Sequence, residues 1–260
     1  MPILHPKNFF GRSAEIRRIR EAGAVRLPHH LFVSGPRHSG KTSLLRFVEF
    51  LPHAAPEDLN SGIEPGYAGR RPIFVDLHDP RMWHLDQFLN SILKRAGLAA
   101  VSSIDRFTAA LAEASPMTIL LDDVEEAARL DPSVWDALRF LGASRSGSVN
   151  IIMSSTYSIG ELWDRYETLR PLLRVTGHEI LLGPLAGPEA RELIASSPVP
   201  FPEEDEDWIL ENSGKEPCWL QILCDFCLRH LRGDRDAEWK TRALARCNAI
   251  MRLRGSCGQF

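Results

Sequence analysis

Four short runs of apolar residues punctuate the first 155 positions: HLFVSG (30–35), RPIFVDL (71–77), MTILLDD (117–123) and VNIIMSS (149–155). Each run is continuous rather than alternating. That pattern suits a strand covered on both faces, as in a parallel sheet under helices. A fifth short strand, HEILL (178–182), is expected to close one sheet edge. Patterns of helical period lie between the strands, over 13–22, 41–50, 83–96, 104–114, 132–141 and 158–170. Ser13 is a cap for the first, and Asp131 with Pro132 starts the fifth. Strands alternating with helices predict an α/β fold, a doubly wound and mainly parallel five-stranded sheet.

The pattern changes after residue 184. Helical segments follow at 187–196, 205–213, 215–231 and 235–252, with a Pro-rich break and an acidic helix start at 196–208. The expected organisation is a sheet domain over 1–184, a helical lobe over 185–252 and a tail over 253–260. Pro52, Pro56, Gly62, Pro65, Gly66 and Gly69 mark 52–70 as a long loop. It joins a helix to the second strand, away from the strand ends that carry the chemistry, and reads as an insertion.

Composition narrows the class. The chain has 260 residues, 44% hydrophobic and 25% charged, with a formal net charge of -3. That charge gives no global reason to expect nucleic acid, and no apolar run suits a membrane span. The chain from 229 onward is basic, which suits either a solvated helix face or a docking surface. Five cysteines, at 218, 224, 227, 247 and 257, make a poor disulfide framework. Cys224 and Cys227 fall on one helix face and read as core; a zinc site needs more close ligands than His230. A reducing cytoplasm is the expected compartment.

The chemistry enters at Gly35, Pro36, Arg37, His38, Ser39, Gly40, Lys41 and Thr42, with Ser43 next. This is G-x-x-x-x-G-K-S/T, placed after a buried strand and opening a helix, as a P-loop NTPase requires. Gly35 and Gly40 let successive backbone N–H groups form an anion nest, and the helix start adds its positive end. Lys41 is expected on the β- and γ-phosphates and Thr42 on Mg²⁺. Arg37 and His38 hold variable positions whose side chains can face solvent.

Magnesium also calls for an acid at a neighbouring strand end. Asp76 and Asp122 are the candidates. Asp122 is favoured because it ends the more apolar strand and is followed by Asp123, which can polarise an attacking water or instead cap a turn. Asp76 would then flank the site. Glu125 and Glu126 are expected to point elsewhere as the chain turns away. Ser154, Ser155 and Thr156 end the fourth strand; Thr156 is the residue assigned to the γ-phosphate or the water, with a cap role as the alternative. Arg165, Arg170 and Arg174 follow, where one could reach a neighbouring subunit's nucleotide.

The order of motifs resembles the STAND and archaeal-type, AAA+-related P-loop ATPases. FFGR (9–12) resembles their F-x-G-R box, ILLDDVEEA (119–127) their Walker B run and IIMSST (151–156) their sensor-1 strand. LLGPLAGPEARELI (181–194) resembles the box that opens a C-terminal helical lid, and SGKEPCWLQILC (213–224) their G-x-P box. The resemblance implies an adenine pocket with Phe10, Gly11 and Arg12 on one side and Pro184 and Pro217 on the other. Lys215 and Glu216 depart from it, because one residue usually separates that Gly and Pro. It further implies a nucleotide-controlled signalling switch that hydrolyses ATP slowly, with a protein partner or self-association through the lid and basic C-terminal helix. The rivals are a DNA-linked ATPase and a non-hydrolysing nucleotide-gated module. There is no N/T-K-x-D guanine box, which favours ATP over GTP.

Overall fold

The computed structural model describes residues 6–24, 30–60, 63–67, 69–114, 116–143, 149–234 and 238–256. Gly62, Cys257 and residues 235–237 and 257–260, all named above, lie outside them.

The chain forms two compact units. The first holds residues 1–9, 13–36 and 41–182. Its elements run α1 (Ser13–Ala24), β1 (His30–Ser34), α2 (Lys41–Phe50), β2 (Arg71–Asp76), α3 (Leu85–Ala96), α4 (Ile104–Glu113), β3 (Met117–Asp122), α5 (Pro132–Ala143), β4 (Val149–Ser155), α6 (Ile159–Arg165), α7 (Arg170–Leu173) and β5 (Thr176–Leu181). The sheet order is β2-β3-β4-β1-β5, and every pairing is parallel. The five expected strands are all present, with β5 at an edge beside β1.

The continuous apolar runs are explained by two faces. Ile119 and Leu121 of β3 join one core with Ile73, Val75, Ile151 and Met153, under α3, α4 and α5. Leu120 joins the opposite core with Leu31, Val33, Phe74 and Ile152, under α1 and α2. All six residues of β3 are buried. Each buried Ile, Leu or Met among them contributes about 1.5–3 kcal/mol by leaving water.

Two expected helices are cut differently. The segment 158–170 is interrupted after Arg165, and α7 starts around Pro171. Proline has no N–H to donate and suits a helix start, so it opens a second helix. The segment from 83 begins as a 3₁₀ turn, Pro80–Trp83, before α3. The loop 52–70 contains a short 3₁₀ turn at Pro56–Asp58.

The second unit holds residues 10–12, 37–40 and 183–260. Its helices are α8 (Gly187–Ala195), α9 (Glu203–Ser213), α10 (Pro217–Arg229) and α11 (Trp239–Ser256). Leu185, Ile194, Ile209, Trp219, Leu223 and Cys227 form its core, with Phe10 and Cys224 packed against it. Burial pushes the Cys224 and Cys227 thiols up to about 12, so both behave as core rather than as reactive groups. No helix among the described residues is long and apolar enough to cross a membrane.

Candidate functional site

The glycine-rich turn starts where β1 ends. Gly40 has φ 97, a conformation only glycine adopts without strain, and α2 begins at the next residue. Pro36, Arg37 and His38 are exposed, while Ser39, Lys41 and Ser43 are buried and Thr42 is half-buried. The Lys41 ammonium donates to the Gly35 and Pro36 carbonyls at 2.9 and 3.1 Å.

Asp122 does not end a strand adjacent to β1, because β4 lies between β1 and β3. The Thr42 hydroxyl still lies close enough to favour the ionised form of its carboxyl. The β3–β4 register pairs Leu121 with Met153, which sets Ser154 beside Asp122. The Ser154 hydroxyl donates to Asp122 Oδ1 and accepts from the Asp123 N–H at 3.2 Å. Burial pushes the Asp122 carboxyl up, and Asp76 pushes it further; Ser154, Thr42 and the Lys41 charge hold it down. Asp76 pairs with Asp122 in register, is exposed, and accepts from the His78 N–H at 2.9 Å.

Asp123 has φ 58. A left-handed residue here turns the chain sharply out of β3, at a cost of about 1–2 kcal/mol. The turn continues as a 3₁₀ segment, Val124–Arg129. It carries Glu125 and Glu126 back over the strand ends, contrary to the expectation that they would point elsewhere. Glu125 Oε1 accepts from the Thr156 N–H at 2.9 Å, and its Oε2 is buried with no hydrogen-bond partner. Glu126 pairs with Arg129 at 3.0 Å. Burial, then the Asp122 and Glu125 charges, push the Asp123 carboxyl well above the usual carboxylate range; His78 and Lys41 oppose this.

His78 is a site residue that sequence reasoning did not single out. Its Nε2 lies 3.1 Å from Asp123 Oδ2 and its Nδ1 3.6 Å from Glu126 Oε1. The only signal for it was a position two residues past the end of β2. At the end of β4, Ser154 rather than Thr156 contacts the two aspartates through its side chain. The arginines beyond β4 lie over aromatic rings: Arg165 over Tyr157 at 4.5 Å, and Arg170 and Arg174 over Trp163.

The segments assigned to the adenine pocket all belong to the second unit. Gly11 and Arg12 are both left-handed, at φ 73 and 62. A Cβ on Gly11 would lie 3.0 Å from the Glu189 side chain. The Arg12 guanidinium is buried and donates to the Ser39 and Gly183 carbonyls. Pro184 is exposed and half-buried Pro217 opens α10. The extra residue between Gly214 and Pro217 is absorbed by a second left-handed pair, Gly214 and Lys215, at φ 57 and 61. The Lys215 carbonyl accepts from the Leu185 N–H at 2.9 Å, joining the segments 181–194 and 213–224. Among the described residues the non-glycine positions with positive φ are Arg12, His38, Asp123 and Lys215. All four fall in segments the sequence marks for nucleotide chemistry, where stored strain concentrates.

No family model matches the chain, and no curated protein matches it. Solved structures do. A Walker-type ATPase of Pyrococcus abyssi is similar over 98% of this chain and 77% of its own, with TM-score 0.69 and 16% identity. The ORC1 protein of Aeropyrum pernix, in complex with DNA, is similar over 92% and 66%, with TM-score 0.62 and 18% identity. The ADP form of the Aeropyrum pernix ORC2 protein is similar over 90% and 67%, with TM-score 0.61 and 15% identity. At such identities the likeness is one of architecture. The parallel five-stranded sheet and its helices have the P-loop NTPase fold of these structures.

Proposed function

We propose that this chain binds Mg-ATP and hydrolyses it slowly, as a nucleotide-controlled switch. The observation that carries the reading is the meeting of Lys41, Thr42, Asp122 and Asp123 at the C-terminal ends of β1 and β3, the side of a parallel sheet where ligands bind. The backbone N–H groups of residues 37–42 supply the phosphate nest, and Lys41 supplies charge to the β- and γ-phosphates.

The residues fit magnesium. Thr42 and Asp122 offer hard oxygens, and the buried Asp122 carboxyl gains from a cation. Bound there, the metal would neutralise charge on the phosphates. Asp123 is the candidate base, taking a proton from the attacking water at a carboxylate oxygen. It is one methylene shorter than the glutamate usual in the resembling ATPases, which favours slow turnover. The lid supports the switch: a nucleotide moves such an element only through different affinity for its two positions.

A DNA-linked ATPase is the second reading. The similar ORC1 structure is a complex with DNA, so the near-neutral charge of this chain does not set nucleic acid aside. Duplex affinity falling steeply with salt would favour it. The nucleotide reading is tested by two substitutions. Lys41→Ala is expected to lose ATP binding, and Asp123→Asn to keep binding while losing turnover. Wild-type affinity in Lys41→Ala removes the reading.

A further inference from the structure

We propose that Arg12 is a positioning residue for the phosphate-binding turn, which it sets through the Ser39 carbonyl rather than by touching a base. The inference rests on the reading that residues 35–42 hold phosphate.

Arg12 is 4% exposed, a depth at which a guanidinium must be satisfied by the protein. Its Nη2 donates to the Ser39 carbonyl at 3.1 Å and also to the Gly183 carbonyl. One nitrogen thus uses its two N–H groups on two carbonyls, one in the turn and one at the entry to the lid. The peptide between Ser39 and Gly40 is planar and trans, so its C=O and N–H point in opposite directions. Holding the Ser39 oxygen toward Arg12 therefore aims the Gly40 N–H the other way. A turn of alternating glycine-dependent conformations has two competing orientations for such a peptide, and only one presents the donor to an anion. Gly40, at φ 97 with open space where a Cβ would be, has no side-chain packing of its own to select between them. Arg12 supplies the selection.

The backbone around Arg12 is built to deliver this contact. Gly11 and Arg12 are consecutive left-handed residues, and Glu189 fills the space a Cβ on Gly11 would need. Gly11→Ala therefore displaces the guanidinium without altering it.

The test titrates the full chain with Mg-ATP and, separately, with inorganic tripolyphosphate, which has no base. Arg12→Ala is expected to weaken both ligands by the same factor, roughly 10- to 100-fold for one misdirected donor to a charged group. Gly11→Ala is expected to act in the same direction. Arg12→Lys, whose ammonium still donates to carbonyls, is expected to recover most of the loss. Weakened ATP with unchanged tripolyphosphate would make Arg12 a base contact and overturn the proposal. Unchanged affinity for both in folded Arg12→Ala would overturn it too, leaving Arg12 a purely structural residue. Should Arg12→Ala not fold, Arg12→Lys and Gly11→Ala decide by the same ratio. Loss in Lys41→Ala without loss in these variants leaves the phosphate reading intact and removes this one; a wild-type chain that takes up neither ligand removes both.

Discussion

The two ends of the sheet's strands use their polar side chains in opposite ways. At the N-terminal ends of the strands, the buried side chains of His30 and Arg70 complete the backbone. His30 Nδ1 accepts from the Ile151 N–H at 3.0 Å. Arg70 donates to the Gly23 carbonyl at 2.8 Å and the Met117 carbonyl at 3.3 Å. Tyr67 packs nearby, and burial pushes its hydroxyl up to about 12. At the C-terminal ends, carboxyls crowd together instead. Asp76 raises the proton affinity of Asp122, Asp122 and Glu125 raise that of Asp123, and Asp123 is left-handed. One end is arranged for folding. The other tolerates repulsion and strain that a cation and a triphosphate would relieve, the usual mark of a site that sacrifices stability for function.

The comparison predicts that substitutions at the two ends separate stability from activity. The largest effect is expected at Arg70. Arg70→Ala leaves two buried carbonyls short of a donor, at a cost of about 2–4 kcal/mol, while nucleotide affinity of the folded fraction stays unchanged. Denaturant unfolding beside a binding titration checks both. An Arg70→Ala protein of normal stability and poor affinity would erase the distinction between the ends.

Asp123→Asn should do the reverse, lowering turnover about 100-fold or more if the carboxylate is the base, with no loss of stability. Its pH dependence follows from the raised carboxyl. Asp123 binds its proton more tightly in the folded chain than in the unfolded one. Its contribution is therefore present in acid and is lost as pH rises from the ordinary carboxylate range through the raised folded value. Melting curves without nucleotide should show Asp123→Asn gaining on wild type as pH rises to about 8 and the gap closing near about pH 4.

His78→Ala is a smaller test. The ring is 58% exposed, so its hold on Asp123 is screened. Turnover should fall about 3- to 10-fold at unchanged ATP affinity if the ring orients the base. Equal kinetics would make His78 a bystander. Tyr67→Phe should be smallest, about 1 kcal/mol or less of stability, because the hydroxyl makes no close hydrogen bond.

Much of the sheet was legible because burial on both faces writes itself as an unbroken apolar run. MTILLDD announces β3 and places Asp122 at its end. The turn 35–42 was legible for a different reason: glycine at set positions is a backbone requirement, visible without tertiary contacts. His78 and Glu125 were not legible. Each reaches Asp123 or Thr156 only through strand register plus the direction of a turn. That direction depends on a left-handed aspartate, a choice no local pattern announces. Ser154 illustrates the same point. Three hydroxyls end β4 in sequence, and only the register with β3 decides which one faces the aspartates. The break at Pro171 was written in the chain, but a proline that ends one helix and one that begins the next look alike.

The most direct test of the central claim is calorimetric titration of ATP into the full chain with and without Mg²⁺, repeated with Asp122→Asn. Saturable uptake strengthened by Mg²⁺, with the Mg²⁺ increment gone in Asp122→Asn, is the predicted result. Absence of uptake by the folded wild-type chain, or an Mg²⁺ increment that survives Asp122→Asn, contradicts it.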